Sequence, residues 1–301
     1  MKKGAWSADP AVIPNVDPYV RSFRVSAPDF NLGHTLECGQ VFRWDKIGPS
    51  QYEGIVGPEI FRARGEKEGL LIETPGSRIG PSYVKSYFDL NLDLAYIYNR
   101  ICKDKHIKAA IKRFKGLRII RQPLWECTAS FIISAYNNIP RIKGIIYNLS
   151  RCSGRPLVLN GKVNYSFPEP QIIADLSIPR LKGCGAGFRA PYLKKAARAF
   201  LTGSITAEDL HSRPYEAAKD ILMGLDGVGD KVADCVLLYS ARRFEAFPVD
   251  VWIKRVMEYL YFKGKKASEK NVRAFARGYF GEYAGYAQQY LYHYARCERL
   301  K

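Results

Sequence analysis

The chain has 301 residues, of which 47% are hydrophobic, so it can bury the core of one large domain or two smaller ones. Forty-seven Lys and Arg against 29 Asp and Glu give a net charge of +18, which favours a polyanionic partner. Nucleic acid is the first candidate, and an anionic membrane surface is the alternative. No apolar run reaches the ~18 residues of a spanning helix, and no signal-peptide core follows Met1. We therefore expect an intracellular protein that does not associate with membranes.

The cysteines and histidines carry no metal-binding signal. The seven cysteines are odd in number and contain no Cys-x-x-Cys pair, and the four histidines also lack the spacing of metal ligands. We expect reduced thiols without a structural disulfide, and neither zinc nor an iron–sulfur cluster.

The first part of the chain alternates short β-rich runs with turn residues. After a predicted loose lead-in at residues 1 to 18, Gly, Pro, Ser and charged residues separate the runs, which favours an antiparallel meander. The predicted strands are Tyr19 to Val25, Gln40 to Trp44, Tyr52 to Val56, Ile60 to Ala63 and Leu70 to Thr74. Helical periodicity follows at Pro81 to Phe88, Leu92 to Cys102 and His106 to Phe114.

From Gln122 onward the pattern is mostly helical, apart from a small hairpin predicted around Asn160-Gly161. The predicted helices are Pro123 to Tyr136, Pro140 to Ser150, Pro191 to Leu201, Ala207 to His211, Tyr215 to Met223, Asp230 to Arg242, Asp250 to Phe262, and Glu269 to Tyr294 with a break near Gly281. The chain is thus predicted to be α+β. An N-terminal antiparallel-sheet domain with helices spans residues 1–120, and a mostly helical domain spans residues 121–301.

The turn Gly227-Val228-Gly229 joins two of these helices, within a segment of about residues 215–242. Two glycines within three residues suit a backbone that has positive φ or that approaches another group closely. Exposed N–H groups and a helix N-terminus together form an anion site, so the turn is a candidate phosphate contact. A plain interhelical turn is the alternative.

A lysine and an aspartate follow this turn. Lys231 and Cys235 are four residues apart, so they share one helix face, and Lys231 is a candidate amine nucleophile. A solvated lysine beside a phosphate is the alternative. Asp250 is predicted to cap the next helix. The short connection also brings it towards Lys231, and an amine with a carboxylate is the minimum set for displacing a sugar-bound base.

These residues resemble the helix-hairpin-helix DNA glycosylases with a Gly/Pro-rich loop and an aspartate, specifically the 8-oxoguanine DNA glycosylases of the eukaryotic type. The resemblance runs from about residue 20 to the C-terminus, with matching motifs in the family's order. Besides the Lys231 and Asp250 segments, they are Cys38-Gly39-Gln40-Val41-Phe42-Arg43-Trp44, Phe131-Ile132-Ile133-Ser134-Ala135-Tyr136-Asn137-Asn138-Ile139-Pro140-Arg141, Gly187-Phe188-Arg189-Ala190 and Tyr283-Ala284-Gly285-Tyr286-Ala287-Gln288.

The resemblance implies that Lys231 forms a Schiff base with the sugar and that Asp250 assists base loss. It also implies a pocket for a flipped base. In that pocket the carbonyl of Gly39 accepts the N7–H that distinguishes 8-oxoguanine from guanine. The other pocket residues are Cys235 and Tyr292, which sandwich the purine, and Gln288, which binds its Watson–Crick edge. The structural alternatives are a strand bulge at Gly39, core packing at Cys235, and two ordinary helix positions at Gln288 and Tyr292.

The same resemblance implies a wedge that holds the duplex open. It assigns this role to Tyr136, Asn137 and Asn138, and it assigns contacts with an opposing cytosine to Arg141 and Arg189. Arginine is a donor-only fork that suits the acceptors of cytosine, although a surface salt bridge is the alternative for each arginine.

Two positions depart from the family pattern. Tyr136 replaces the first asparagine of the wedge triplet, and an aromatic side chain can still stack into the gap. Trp252 replaces a histidine; it has only one indole donor and cannot replace a cationic or accepting imidazole in a phosphate contact.

The sequence thus predicts a bifunctional glycosylase and lyase of base excision repair. It would excise 8-oxoguanine opposite cytosine from double-stranded DNA and cleave the abasic strand by β-elimination, as a monomer and without a cofactor. A non-catalytic helix-hairpin-helix DNA-binding protein and a glycosylase for another damaged base are the alternatives.

Overall fold

A computed structural model describes residues 20–76 and 78–298. The predicted lead-in at residues 1 to 18 lies outside this range. The α+β fold is confirmed, with a five-stranded antiparallel sheet in the first part and mostly helices after it.

The sheet has the strand order β1-β5-β4-β3-β2, so every strand except β1 pairs with its neighbour in the chain. Consecutive antiparallel strands need only tight turns, in agreement with the predicted meander. The first elements are β1 (Arg21–Ser26), α1 (Leu32–Glu37), β2 (Trp44–Gly48), β3 (Gln51–Val56), β4 (Glu59–Glu66) and β5 (Gly69–Thr74).

The predicted strand Gln40 to Trp44 is wrong, because β2 begins only at Trp44. A short helix, α1, precedes this segment, and the Asn31 side chain caps it by accepting a hydrogen bond from His34 N. Gln40 is fully buried, and its side chain bonds to the main chain of Thr35, Arg118 and Ile120. The segment is therefore a loop held against α1 and residues 118–120.

Helices make up most of the chain after β5. The first three are α2 (Pro81–Tyr87), α3 (Leu94–Ile101) and α4 (Lys105–Arg113), as predicted to within two residues. The others are α5 (Leu124–Ser134), α6 (Ile139–Ser153), α7 (Pro170–Asp175), α8 (Ile178–Gly183), α9 (Ala190–Leu201), α10 (Ala207–Ser212), α11 (Tyr215–Met223), α12 (Asp230–Tyr239), α13 (Val251–Tyr261), α14 (Glu269–Phe280) and α15 (Ala284–Cys297).

Several local predictions are confirmed in this part. Strands β6 (Pro156–Leu159) and β7 (Lys162–Tyr165) form the small hairpin, and both turn residues, Asn160 and Gly161, have positive φ. The predicted break near Gly281 is a 3-10 turn between α14 and α15. The short helices α7 and α8 were not predicted, and α12 ends three residues before the predicted Arg242.

The hydrophobic core has two parts. One lies between the sheet and α2, where Trp44 packs on Gly54 so closely that a Cβ there would be 2.2 Å from the indole. The larger part joins α3 and α4 to the later helices, with α4 packed on α15. The division near residue 120 stays a prediction. All seven cysteines are free thiols, and among the described residues no helix is both long and apolar enough to cross a bilayer.

Candidate active site

The turn between α11 and α12 is held against α9. Gly227 has φ +81°, and a Cβ there would lie only 2.4 Å from Tyr192 Cδ2. Gly229 is the N-cap of α12, and no side chain caps the helix. The first N–H groups of α12 therefore remain available at the positive end of the helix dipole, as an anion site requires.

We expect Gly227→Ala to destabilise the protein by about 1–3 kcal/mol, because alanine disfavours this φ and collides with Tyr192. Gly229→Ala is the matched control, since Gly229 has φ −100° and nothing lies within 4 Å of an added Cβ. Urea unfolding of both variants measures the difference. Equal losses of stability would contradict the role given to Gly227.

Lys231 lies at the start of α12 and points towards the end of α5. Its Nζ donates to Ser134 Oγ at 3.1 Å and lies 5.1 Å from the centroid of the Phe131 ring. Lys231 is only partly buried. The amine is therefore positioned by a hydroxyl and an aromatic face, with no carboxylate paired to it in the described structure.

Asp250 is the N-cap of α13, as predicted, and its Oδ1 accepts a hydrogen bond from Ile253 N at 2.7 Å. Its charge also reaches the pocket. Burial raises the pKa of the Cys235 thiol to about 12, while Lys231 opposes this shift and Asp250 adds to it. The predicted amine and carboxylate thus both interact electrostatically with one buried thiol, as does the buried Asp234.

The other three predicted base-pocket residues lie on the loop of Gly39 and on α15. Gly39 has φ +90°, and a Cβ there would lie 3.4 Å from Tyr292 Cε1. Burial raises the pKa of Tyr292, and Asp250 raises it further. Gln288 lies one turn before Tyr292 on α15, and its buried Oε1 has no partner among the described residues. An unpartnered buried acceptor is costly unless a ligand satisfies it, which fits the predicted contact with a base.

The wedge residues lie in the loop between α5 and α6. The first of them, Tyr136, is two residues after Ser134. Tyr136 has φ +49° and is 95% exposed, so its ring projects from the loop. Asn137 Nδ2 donates to Ile133 O at 3.1 Å, and Asn138 caps α6 by accepting from Arg141 N at 3.0 Å. The two asparagines thus stabilise the loop that presents the tyrosine.

The two arginines differ in exposure. Arg141 is exposed, whereas Arg189 is 2% exposed and donates to the carbonyls of Ala135 and Tyr136. Burial lowers the pKa of Arg189, and the nearby charge of Arg141 lowers it further. Arg189 thus supports the wedge loop in addition to its predicted contact with a cytosine.

Sequence reasoning assigned no role to Phe188. Its ring is 54% exposed and lies 4.3 Å from the guanidinium carbon of Arg189. The signal in the sequence was a large aromatic residue directly before a predicted DNA-contacting arginine. The structure adds that the ring is exposed.

A second group without an assigned role is the ionic network behind the hairpin. Asp234 is fully buried on α12, where it accepts from Arg273 Nε at 2.7 Å and lies 3.2 Å from Lys219 Nζ. Tyr215 OH also donates to it. The network joins α11, α12 and α14 and so holds the helix that carries Lys231.

The helix-hairpin-helix, with a lysine at the start of its second helix and an aspartate capping the next, defines a DNA glycosylase of the base excision type. No cluster of metal-binding side chains occurs within residues 20–76 and 78–298. Residues 22–128 match the N-terminal domain of 8-oxoguanine DNA glycosylase, and residues 129–281 match the HhH-GPD superfamily of base excision DNA repair proteins. The chain belongs to the family of 8-oxoguanine DNA glycosylases.

Individual relatives agree with this membership. A probable N-glycosylase/DNA lyase of Methanothermobacter thermautotrophicus is 33% identical over 309 residues, which cover 92% of this chain and 97% of the relative. The N-glycosylase/DNA lyase of Arabidopsis thaliana is 26% identical over 285 residues, covering 89% of this chain and 78% of the relative. The 8-oxoguanine glycosylase/lyase of Clostridium acetobutylicum, solved with double-stranded DNA containing cytosine opposite 8-oxoguanine, is 34% identical. Its TM-score is 0.87, with 94% of this chain and 99% of that chain covered.

Proposed function

We propose that this protein is a bifunctional DNA glycosylase and lyase that removes 8-oxoguanine opposite cytosine and then cleaves the abasic strand. The observation that carries the proposal is the position of Lys231, whose Nζ donates to Ser134 Oγ just before the wedge loop, while Asp250 caps the next helix. The charges of Lys231 and Asp250 both act on the buried Cys235 thiol. The predicted base pocket borders this pair, because Asp250 also acts on Tyr292, which lies against Gly39. Asp250 therefore lies within electrostatic range of two pocket residues, Cys235 and Tyr292.

In the chemical step the neutral amine of Lys231 attacks C1′ of the flipped nucleotide. The N–C1′ bond to the enzyme forms as the bond to the base breaks, and a proton of the attacking nitrogen passes to the departing base. The C1′–O4′ bond then breaks, which opens the sugar ring, and O4′ leaves as a hydroxyl by taking the remaining nitrogen proton. The resulting imine acidifies the C2′ proton, whose loss expels the 3′ phosphate and cuts the strand. Ser134, within 3.1 Å of Nζ, orients the amine.

Asp250 supports the first step electrostatically. Positive charge develops on the sugar as the base departs, and a fixed carboxylate stabilises it. The hydrogen bond from Ile253 N to Oδ1 holds the carboxylate in place and leaves Oδ2 to face the substrate. The capping role and the chemical role of Asp250 are thus compatible.

Selectivity for the lesion rests on the pocket. No described residue donates a hydrogen bond to the Gly39 carbonyl, which can therefore accept N7–H of 8-oxoguanine. Gln288 brings an unsatisfied acceptor for the pairing edge of the base. Guanine has no N7–H, so it would leave the Gly39 carbonyl without a partner.

Several groups around this pocket contact duplex DNA. The net charge of +18 attracts the phosphates, and the turn at Gly227-Val228-Gly229, with the uncapped N–H groups at the start of α12, receives one of them. Tyr136 fills the gap left by the flipped nucleotide, while Arg141 and Arg189 contact the opposing cytosine. Trp252 is 51% exposed where the family has a histidine, so we expect its phosphate contact to be weaker. A single chain holds all these groups, so we infer that the protein acts as a monomer.

Borohydride trapping tests the reaction and the opposite-base preference together. With 8-oxoguanine placed opposite cytosine, thymine, guanine or adenine in turn, we expect a covalent protein–DNA adduct that forms fastest opposite cytosine. The advantage should be about tenfold or more, since arginine contacts of ~1–3 kcal/mol are lost with the other bases. Absence of an adduct would support a DNA-binding protein without catalysis. Equal trapping with all four bases would contradict the roles of Arg141 and Arg189.

A further inference from the structure

The loop that carries Gly39 is tied to both α12 and α15 by a single glutamine. Gln289 Nε2 donates to the carbonyl of Cys38 at 3.0 Å, and Gln289 Oε1 accepts from Tyr239 OH at 2.6 Å. Gln289 is 1% exposed and Tyr239 is 5% exposed. Both ends of the amide are therefore satisfied inside the protein, by two elements that meet at the base pocket.

Tyr239 connects this amide to the catalytic side of the site. Its ring stacks on Phe131 at 5.4 Å between centroids, and Lys231 Nζ lies near that same Phe131 ring. Burial raises the pKa of the Tyr239 hydroxyl, and the nearby Cys235 raises it further. The hydroxyl therefore stays protonated and donates to Gln289, which fixes the orientation of the amide.

The other side of Gly39 is also held. Gln122 Nε2 donates to Gln40 O at 2.7 Å, and the Gln40 side chain is bound to the carbonyls of Thr35 and Arg118. Gly39 lies between these two anchors and has φ +90°. Glycine has no side chain whose contacts could hold the backbone in this conformation. Its backbone orientation therefore depends on the bonds to its neighbours.

We propose that Tyr239 and Gln289 are positioning residues for lesion recognition, because they fix the Cys38–Gly39 peptide and so aim the Gly39 carbonyl at N7–H of the flipped base. This inference rests on the proposed function of Gly39. A hydrogen bond to a base requires the acceptor to lie within a few tenths of an ångström of its best distance, and a glycine loop without this anchor does not hold it there. The pair therefore contributes to base excision and not to the cleavage of the abasic strand that follows.

Two variants test the proposal without removing a pocket side chain that touches the base. Tyr239→Phe keeps the stacked ring and removes the hydroxyl that orients Gln289. Gln289→Met keeps the length of the side chain but cannot donate to the Cys38 carbonyl. The matched control is Tyr290→Phe, which removes a buried hydroxyl next to Gln289 on α15. This hydroxyl bonds to Leu117 O at 2.9 Å.

Two single-turnover rates are measured for each variant, at a temperature at which it is folded. They are excision of 8-oxoguanine opposite cytosine and incision of a preformed abasic site opposite cytosine. We expect excision to fall about tenfold or more in both test variants, while abasic-site incision changes less than about threefold. Tyr290→Phe should leave both rates near those of the wild type.

A parallel fall of both rates, or no change in either, would overturn the positioning role. If a test variant is unfolded, the other variant alone decides. Wild-type protein that incises abasic sites but never excises 8-oxoguanine would instead refute the proposed function, so the two failures are distinguishable.

Discussion

We expect the replacement of Lys231 by glutamine to abolish the covalent adduct on 8-oxoguanine duplexes and to lower excision by on the order of 10³-fold or more, equivalent to at least ~4 kcal/mol of lost transition-state stabilisation. Glutamine approximates the length of lysine and can still bond to Ser134 Oγ, but its amide nitrogen is not a nucleophile. The fold is unchanged in this variant, because Lys231 is only partly buried and has no paired carboxylate among the described residues. Borohydride trapping and single-turnover excision measure the two losses.

Lys266→Gln is the control for loss of a positive charge. Its side chain is 88% exposed and lies 3.4 Å from Glu258, so it removes one charge without touching the site. We expect full trapping, with only a small weakening of DNA binding through the phosphates. An adduct of normal yield with Lys231→Gln would mean that another amine attacks the sugar, and the assignment of Lys231 would then be wrong.

The helices around Lys231 and the N-cap at Asp250 were predictable because their signals are local. Tyr215–Met223 was found with the bounds the structure has, since apolar periodicity ends at a Gly-rich turn. Lys231 follows that turn at once, and Asp250 occupies an N-cap that the pattern Pro248-Val249-Asp250 before an apolar-periodic run indicates. The assignment of base-pocket residues, by contrast, depended on family resemblance, because Gly39 and Tyr292 meet only in the fold.

The supporting residues could not be predicted because their partners are remote in sequence. Gln289 bonds to a carbonyl 251 residues away, and nothing near it distinguishes it from an ordinary polar helix position. Helix α1 was missed because its six residues are too few for the helical period to repeat. The residues that follow it were also read as a strand. Asp234 stood inside the matched motif, yet its partners lie on α11 and α14.

Asp234→Ala is expected to destabilise the protein by about 3–5 kcal/mol, the largest effect on stability that we predict. The Lys219 and Arg273 side chains are only 5% and 10% exposed, and without Asp234 they retain just the carboxylate of Asp230, which is itself 50% exposed. Two buried cations would then share one partly solvated anion. Urea unfolding measures the change, and Asp226→Ala is the control, because Asp226 pairs with Lys195 at the surface and should matter by less than ~1 kcal/mol.

The network's value lies in geometry more than in stability. Burial raises the pKa of Asp234 even though Lys219 and Arg273 act to lower it. Desolvation therefore has a larger effect on the pKa of this carboxylate than its two cationic partners have. Such a cluster is tolerated because it fixes α12 relative to α11 and α14, and α12 carries Lys231 one turn before Asp234. Excision by folded Asp234→Ala should therefore also fall, because the amine no longer has one position. A variant that loses less than about 1 kcal/mol and keeps wild-type excision would show that packing alone holds α12.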